Sequence, residues 1–331
     1  MAARVFLNGF GRIGRTVLRA WAQGAASGVE IVGINDIASP ETCAYLFEYD
    51  SVFGTWKGSV GLEPGALVVD GRRLPLHRSA DLSALDLSGV DVVMECTGRA
   101  ESDEVARRGL RAGAGAVLIS GPSKAAEAVV VLGANDAALD QALADGNQLI
   151  SNASCTTNAL APLARLIDER WGIETGYMTT IHCYTGSQPT VDAPGPDMAR
   201  SRAAALSMVP TTTSAQRLLD MVLPGIAGRI AGSAVRVPTA SVSAVDLCVM
   251  TKDCPTVAGV NAALRAVGGV IGWTDRPLVS SDLRARPESI VMALPETTVT
   301  AGGMLRVFGW YDNEWGFSNR MLDVAQRMAM R

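Results

Sequence analysis

Cys155 lies in ISNASCTTNALAPL, residues 150–163, between Ser154 and the pair Thr156–Thr157, where an apolar-periodic helix begins. A thiol at a helix N-terminus has its anion favoured by unpaired N–H groups and by the helix dipole. Alone, such a cysteine reads as a buried thiol capping a strand. A nucleophile also needs a proton acceptor. His182, on the strand MTTIHCYT, is the one histidine of the second half of the chain. Alone, it reads as a satisfied strand residue; paired with Cys155, it reads as a base.

A second group of residues has the chemistry of phosphate binding. Arg200, Arg202 and Arg236, with Thr185, Thr211, Thr212 and Thr213, supply forked N–H and short O–H donors. Each arginine alone reads as a surface charge. Arg236 is the exception, because AVRVPT places it inside an apolar strand, where an unpaired charge is costly.

The third feature is Gly9-x-Gly11-x-x-Gly14, which follows the strand RVFLN and opens the helix RIGRTVLRAWAQG. The first glycine permits a tight turn, the second admits a pyrophosphate to the backbone, and the third lets helix and strand pack closely. The helix N-terminus offers N–H groups and positive dipole to phosphates. The pattern alone could be a turn that merely packs. The strand EIVGIN, however, ends at Asp36, a carboxylate placed to accept from both ribose hydroxyls of an adenosine and to repel a 2′-phosphate. The expected cofactor is NAD rather than NADP.

These residues must be positioned by two different kinds of sheet. Up to about residue 154, short apolar runs (VDVVMECTG, AVLIS, AVVVLGAN, NQLISNAS) alternate with helical stretches such as ESDEVARRGLRAGA and NDAALDQALADG. Interleaving of this kind indicates a Rossmann-type doubly wound parallel sheet. The Gly-rich piece around residues 50–78 reads as a hairpin insertion. From residue 155 a helix with apolar positions 160, 163, 164, 167 and 171 leads into longer alternating strands, GYMTTIHCYT, GSAVRVPTASVSAVDLCVM and MLRVFGWYD. These predict a mixed or antiparallel sheet, so the fold class is α/β followed by α+β. The expected division is a dinucleotide-binding domain over 1–154, a catalytic and oligomerisation domain over 155–317, and a C-terminal helix over 318–331, N-capped by Ser318, packing back on the first domain.

Composition narrows the function classes. The chain has 331 residues, of which 48% are apolar and 19% charged, with net charge −4. A length above that of most single domains predicts two. A charged fraction below the typical ~25% fits a surface partly covered by other copies. With no long basic run, neither nucleic acid nor an anionic membrane is the expected partner. Six scattered cysteines (43, 96, 155, 183, 248, 254) without C-x-x-C, and two histidines, His77 and His182, do not make a metal site or a disulfide scaffold. No apolar run approaches the ~20 residues of a membrane span, and MAARVFLNGFGRIGR carries no signal-peptide pattern. The expectation is a soluble, cytoplasmic protein.

NGFGRIGR, SNASCTTNALAP, HCYTGSQPTVDAP, RAAALSMVPTTT, AVRVPT and WYDNEWGFSNR, in order from residue 8 to residue 320, resemble phosphorylating glyceraldehyde-3-phosphate dehydrogenase. The resemblance implies NAD-dependent oxidation of D-glyceraldehyde 3-phosphate with inorganic phosphate, through a hemithioacetal and a thioester, by a cytoplasmic homotetramer. It implies Cys155 as nucleophile and His182 as its activating base. It further implies Arg12 and Ile13 at the pyrophosphate, with Gly9, Gly11 and Gly14. Asp36 falls at the ribose, Asn313 at the nicotinamide amide, and Arg78 and Ser120 at further cofactor positions. Thr185 and Arg236 would hold the substrate phosphate. Ser154, Thr156, Arg200, Thr213 and Ser214 would line the site of the attacking phosphate.

The sequence departs from the family pattern at three positions. Ala159 stands where the family commonly has a second cysteine, so an oxidised Cys155 is expected to form no local disulfide. Ser214 replaces a glycine, where a positive φ would be penalised, and Ala199 replaces a basic residue. Pro194 matches the NAD-preferring pattern. Two related functions remain open from the sequence: erythrose-4-phosphate dehydrogenase, which shares the cysteine and histidine, and an inhibitor-tolerant or non-catalytic paralogue. A Cys–His acyl hydrolase would have no use for the glycine motif with Asp36.

Overall fold

The computed structural model describes residues 2–330, which form two compact units: 2–130 with Asp136–Ala153 and 318–330, and Val131–Asn135 with Ser154–Phe317. The first unit contains β1 (Ala3–Asn8), α1 (Arg12–Ala22), β2 (Val29–Asn35), α2 (Pro40–Glu48), β3 (Val60–Glu63), β4 (Ala66–Val69) and β5 (Arg72–His77). It continues through β6 (Val92–Glu95), α3 (Asp103–Ala106), α4 (Arg108–Arg111), β7 (Ala116–Ile119), β8 (Ala128–Val129), α5 (Asp136–Ala144) and β9 (Leu149–Ser151). The strands form one sheet in the order β3-β4-β5-β2-β1-β6-β7-β9-β8. From β5 to β8 every pairing is parallel, as continuous apolar runs such as AVLI and VVME demand. The Gly-rich stretch supplies the antiparallel β3, β4 and β5. The chain winds outward in opposite directions from β1, so β1 and β6 flank the switch point at whose carboxyl ends ligands bind in such sheets.

The glycine motif has the geometry its spacing requires. Gly9 has φ +93°, and a Cβ on it would stand 2.7 Å from the backbone of Cys96. A Cβ on Gly14 would stand 2.1 Å from the Gly9 carbonyl oxygen.

The second unit opens with α6 (Cys155–Trp171), followed by β10 (Ile173–Cys183), β11 (Val209–Thr211), α7 (Ala215–Val222), β12 (Ile230–Val237) and β13 (Ser243–Thr251). Then come α8 (Val257–Val267), β14 (Ile271–Thr274), β15 (Ile290–Ala293), β16 (Thr298–Val299), β17 (Leu305–Tyr311) and α9 (Trp315–Ala329), the last continuing into the first unit. The mixed sheet runs β11-β12-β10-β13-β17-β15-β14, with β16 on β17. Leu160, Leu163, Ala164 and Ile167 of α6 are buried, on the stripe expected from their spacing.

Three elements differ from the sequence expectations. GSAVRVPTASVSAVDLCVM is two strands, β12 and β13, lying on opposite sides of β10. ESDEVARRGLRAGA is two short helical pieces that break at Arg107. The C-terminal helix starts at Trp315 rather than behind Ser318, because the Asp312 carboxylate accepts from the N–H groups of Glu314 and Trp315 and so takes the capping role. Ser318 lies inside the helix and is fully buried.

Gly14→Ala is expected to destabilise the protein by about 1–3 kcal/mol and to weaken dinucleotide binding. Calorimetric unfolding with and without NAD checks this, and an unchanged melting temperature would show that the close approach is not a constraint.

Candidate active site

In the first unit the carboxyl ends of β1, β2 and β6 surround a cavity of about 280 Å³ lined by Gly9, Gly11, Asp36, Ser79, Thr97 and Arg99, among others. Helix α1 has Gly11 as N-cap, no side-chain cap and no acidic residue in its first turn. A Cβ on Gly11 would meet no protein atom within 4 Å. Gly11 thus borders the cavity at a helix N-terminus with a positive dipole behind it, which fits a pyrophosphate. The Asp36 carboxylate accepts from Phe10 N–H at 2.6 Å and Ala38 N–H at 2.8 Å. Since an ionised carboxylate has about four acceptor sites, it keeps capacity for ribose hydroxyls. These residues fit NAD.

Other expected cofactor residues are engaged within the protein. Arg12 ion-pairs with Asp50, and its guanidinium lies 5.0 Å above the Phe53 ring. Ile13 and Gly14 are in the first turn of α1. Arg78 donates from Nε to the Ile37 carbonyl at 2.9 Å, and Ser120 follows β7 with its N–H on the Glu95 carbonyl at 3.0 Å. The cavity floor is a buried polar chain that sequence reasoning missed. Asn35 donates to Asn8 Oδ1 at 2.8 Å, Asn8 to Glu95 Oε2 at 2.5 Å, and Ser79 N–H to Asn35 Oδ1 at 2.8 Å. Its signal was present: three apolar strands, RVFLN, EIVGIN and VVME, each end on a polar residue, and the register sets Asn8 opposite both Asn35 and Glu95.

In the second unit Cys155 is the first residue of α6. Ser154 caps the helix, its Oγ accepting from Thr157 N–H at 3.1 Å. Ala153, just before, has φ +55° and is fully buried, a strained turn of the kind found at functional sites. Cys155 Sγ lies 3.7 Å from His182 Nε2. Parallel pairing of β10 with β12 sets His182 directly opposite Arg236. The Cys183 carbonyl lies 2.7 Å from His182 Nδ1 and 2.9 Å from Arg236 Nη1, and that Arg236 nitrogen is 3.0 Å from His182 Nδ1. A carbonyl has two lone pairs, so it accepts from both. With the proton on Nδ1, donated to that carbonyl, Nε2 has its lone pair toward the thiol.

Burial shifts the two groups in opposite directions, each toward its neutral form. Burial, and then the neighbouring Arg236 charge, hold the His182 pKa down to about 4. Burial raises the Cys155 thiol above its ordinary value, against the Thr156 hydroxyl, the Arg236 charge and backbone N–H groups, which lower it. Above about pH 4 the imidazole is neutral, so it is free to accept a proton. The N–H groups at the helix terminus lower the thiol pKa in the direction expected of them, while burial raises it by more.

Around the pair, Arg236 Nη1 reaches Thr185 Oγ1 at 3.4 Å. Among the described residues, no carboxylate forms an ion pair with Arg236. Asn313 is buried, its Oδ1 accepting from the Cys183 thiol at 3.1 Å and from Ser243 Oγ at 3.4 Å, which leaves its NH2 as the outward donor. Arg200 belongs to a second constellation: its Nε donates to Thr211 Oγ1 at 2.7 Å and its Nη2 to the Thr212 carbonyl at 3.4 Å. Thr213 Oγ1 accepts from Ala215 N–H at 3.1 Å. Ser214 has φ −76°, so the strain expected of a non-glycine there does not arise.

Thr156 does not stand free. Its Oγ1 is 2.8 Å from the Tyr311 hydroxyl, which is also 2.8 Å from Thr180 Oγ1. The edge of the Tyr311 ring meets His182 with centroids 6.1 Å apart. Sequence reasoning missed Tyr311 and Thr180, which read as ordinary strand residues.

The first unit thus has the form of a dinucleotide-binding Rossmann domain, and the second carries a cysteine–histidine pair beside an arginine that, among the described residues, has no carboxylate partner; the class these features suit is an oxidoreductase. Two family models match the chain: glyceraldehyde 3-phosphate dehydrogenase, NAD binding domain, over residues 3–103, and the C-terminal domain of the same enzyme over residues 154–313. The chain is 44% identical to glyceraldehyde-3-phosphate dehydrogenase of Xanthobacter flavus, with 99% of each chain covered. Against the enzymes of that name from Cereibacter sphaeroides and Pseudomonas aeruginosa the identities are 46% and 45%, with the same coverage. The chain belongs to the glyceraldehyde-3-phosphate dehydrogenase family. It is an NAD-dependent dehydrogenase.

Tyr311→Phe keeps the ring against His182 but leaves two buried threonine hydroxyls short of a partner. It is expected to cost about 1–3 kcal/mol and to slow alkylation of Cys155 by iodoacetamide. Urea unfolding and the alkylation rate check both, and unchanged values would show that the phenol hydroxyl organises nothing.

Proposed function

We propose that the protein oxidises D-glyceraldehyde 3-phosphate with NAD and inorganic phosphate to 1,3-bisphosphoglycerate. The observation that carries this reading is Arg236. It is a half-buried guanidinium with no carboxylate partner among the described residues, beside Thr185 and next to the Cys155–His182 pair. A phosphate ester on the substrate supplies the missing anion, and its aldehyde then falls to the thiol.

The Cys155 thiol gives its proton to His182 Nε2 as Sγ adds to the aldehyde carbon. The carbonyl oxygen becomes the hydroxyl of a hemithioacetal by taking up that proton. NAD, when bound, supplies the hydride acceptor. As the hydride leaves the carbon, His182 takes the hydroxyl proton, and a thioester remains on Cys155. Inorganic phosphate attacks the thioester carbon, the C–S bond breaks, and the acyl phosphate leaves. The thioester keeps the free energy of aldehyde oxidation that direct hydrolysis would release as heat. The Cys155 backbone N–H and the imidazolium are the donors for the oxyanion, and such donors are worth ~3 kcal/mol each.

In this reading Gly9, Gly11, Arg12, Ile13 and Gly14 serve the pyrophosphate. Asp36 serves the ribose, Arg78 and Ser120 further cofactor positions, and the Asn313 NH2 the nicotinamide carboxamide. Arg200, Thr213, Ser154, Thr156 and Ser214 serve the attacking phosphate. The exposed apolar residues of the segment after β10, Val191, Met198, Leu206 and Met208, support a homotetramer in which copies of the chain cover one another. No helix of the described residues is long and apolar enough to cross a membrane, which is compatible with a cytoplasmic location.

With glyceraldehyde 3-phosphate and inorganic phosphate, continuous NAD reduction is expected. Without phosphate, a burst of about one equivalent per active site should be followed by a stall. Faster turnover of erythrose 4-phosphate would reassign the substrate. His182→Asn should slow the burst by ~10²–10⁴-fold. Asp36→Ala should weaken NAD and relax discrimination against NADP, and an unchanged ratio of the two affinities would remove Asp36 from the ribose site.

A further inference from the structure

We infer that Cys183 and Ser243 are positioning residues for the cofactor: their two hydrogens converge on Asn313 Oδ1, lock the amide in one orientation, and so keep its NH2 turned to the nicotinamide carboxamide. The inference rests on the assignment of Asn313 to that carboxamide.

The lock is built where two strands leave their ladder. Pairing of β10 with β13 ends at Ile181–Ala244, short of Cys183. Beyond that point the Cys183 N–H donates to the Ser243 hydroxyl oxygen at 3.1 Å instead of to a backbone carbonyl. Just before Ser243, Val242 has φ +63° and is buried against Leu283 and Val291. A β-branched residue is a rare occupant of the left-handed region, and such strain persists where the surroundings impose it, most often around functional sites. Ser243 is buried and lies opposite Tyr311 on β17, just ahead of Asn313 in the chain. Two strands and a strained turn therefore bring the hydroxyl to the amide.

The direction of each hydrogen bond follows from its partners. A backbone N–H can only donate, so Ser243 Oγ is the acceptor toward Cys183 and its own hydrogen is available to Asn313 at 3.4 Å. Cys183 is 1% exposed and burial pushes its pKa up to about 12, so it is a thiol that donates to Asn313 at 3.1 Å. Two hydrogens on one amide atom require that atom to be the oxygen. The opposite orientation would set the amide hydrogens against those of the thiol and the hydroxyl.

The backbone of Asn313 is fixed separately. Asp312 before it accepts from the N–H groups of Ala285, Glu314 and Trp315. What remains to be set is rotation of the amide about its last bond, a broad and roughly two-fold torsion with little preference of its own. The thiol and the hydroxyl supply that preference. A nicotinamide carboxamide presents a carbonyl on one side and an NH2 on the other, and a locked Asn313 NH2 takes the carbonyl side. The carbonyl of Cys183 meets His182 Nδ1 and Arg236 Nη1, so one residue connects the imidazole to the cofactor amide.

Full-length protein is titrated by calorimetry with NAD and with ADP-ribose, which lacks the nicotinamide. Cys183→Ala is expected to weaken NAD by about threefold to tenfold, the worth of one hydrogen bond, while ADP-ribose binding stays within about twofold. Cys183→Ser, which restores a donor, should bring the NAD affinity back. Ser243→Ala should show the same selective loss together with a lower melting temperature, because the buried Cys183 N–H loses its acceptor. An equal loss in Cys183→Ser and Cys183→Ala would mean that the thiol only fills space, and would overturn the lock. So would an unchanged ratio of NAD to ADP-ribose affinity in Cys183→Ala and Ser243→Ala. An unchanged ratio in Asn313→Ala would overturn the assignment of Asn313 to the nicotinamide, and the lock with it.

Discussion

The register of β10 against β12 is the constraint on which the catalytic unit depends. Parallel pairing places His182 opposite Arg236 over a run extending from Gly176–Ile230 to Cys183–Val237. A slip of one residue would turn Arg236 to the other face of the sheet and leave Val235 or Val237 beside the imidazole. The register is held from both sides. On one, β11 sets Val209 opposite Arg236; on the other, β13 sets Ile181 opposite Ala244 and Ser243 opposite Tyr311 on β17. Four strands therefore converge on a single imidazole.

That arrangement is electrically unusual for a core. The Arg236 guanidinium stands by a buried imidazole with no carboxylate paired to it among the described residues, and burial raises the pKa of the neighbouring thiol. The first unit shows the same strategy on a different scaffold: a helix N-terminus with no side-chain cap and no acidic residue in its first turn. In both places the protein supplies donors and withholds acceptors. Ordinary cores satisfy buried donors internally. Leaving them to a ligand makes the ligand's anionic groups part of the charge balance, which is how a site distinguishes a phosphorylated compound from an otherwise identical neutral one.

The sequence made legible those features that depend on neighbours along the chain. The turn at Gly9 and Gly14, the carboxylate ending the second strand and the apolar stripe of α6 are all local patterns, and each is present. Features decided by distant contacts were not legible. Thr156, Thr180 and Tyr311 meet through one phenol although they lie on three elements. The capping of α9 by Asp312 was hidden because Ser318 offers an equally good local signal, and only the burial of Ser318 inside the helix decides against it. Ser214 misled in the opposite direction. A glycine expected there suggests a left-handed backbone, yet the residue keeps φ −76° because it enters α7 in a right-handed conformation.

The hydroxyls flanking Cys155 show why residue type alone overstates a site. Ser154, Thr156 and Thr185 are equivalent on paper as phosphate donors. In the fold, Ser154 Oγ caps α6 and contacts Thr157 Oγ1 at 2.7 Å, and Thr156 Oγ1 is bound to Tyr311 in a buried position. Thr185 remains near the surface beside Arg236, sharing its hydroxyl with Ser187 at 3.0 Å. The first two hydroxyls are already engaged in holding α6, so the charged donors an anion would meet come from the arginines. A charged donor in a partly desolvated pocket also binds a dianion more strongly than a neutral hydroxyl does. The division is therefore physical: hydroxyls hold the helix that carries the thiol, and guanidinium groups supply the charged donors.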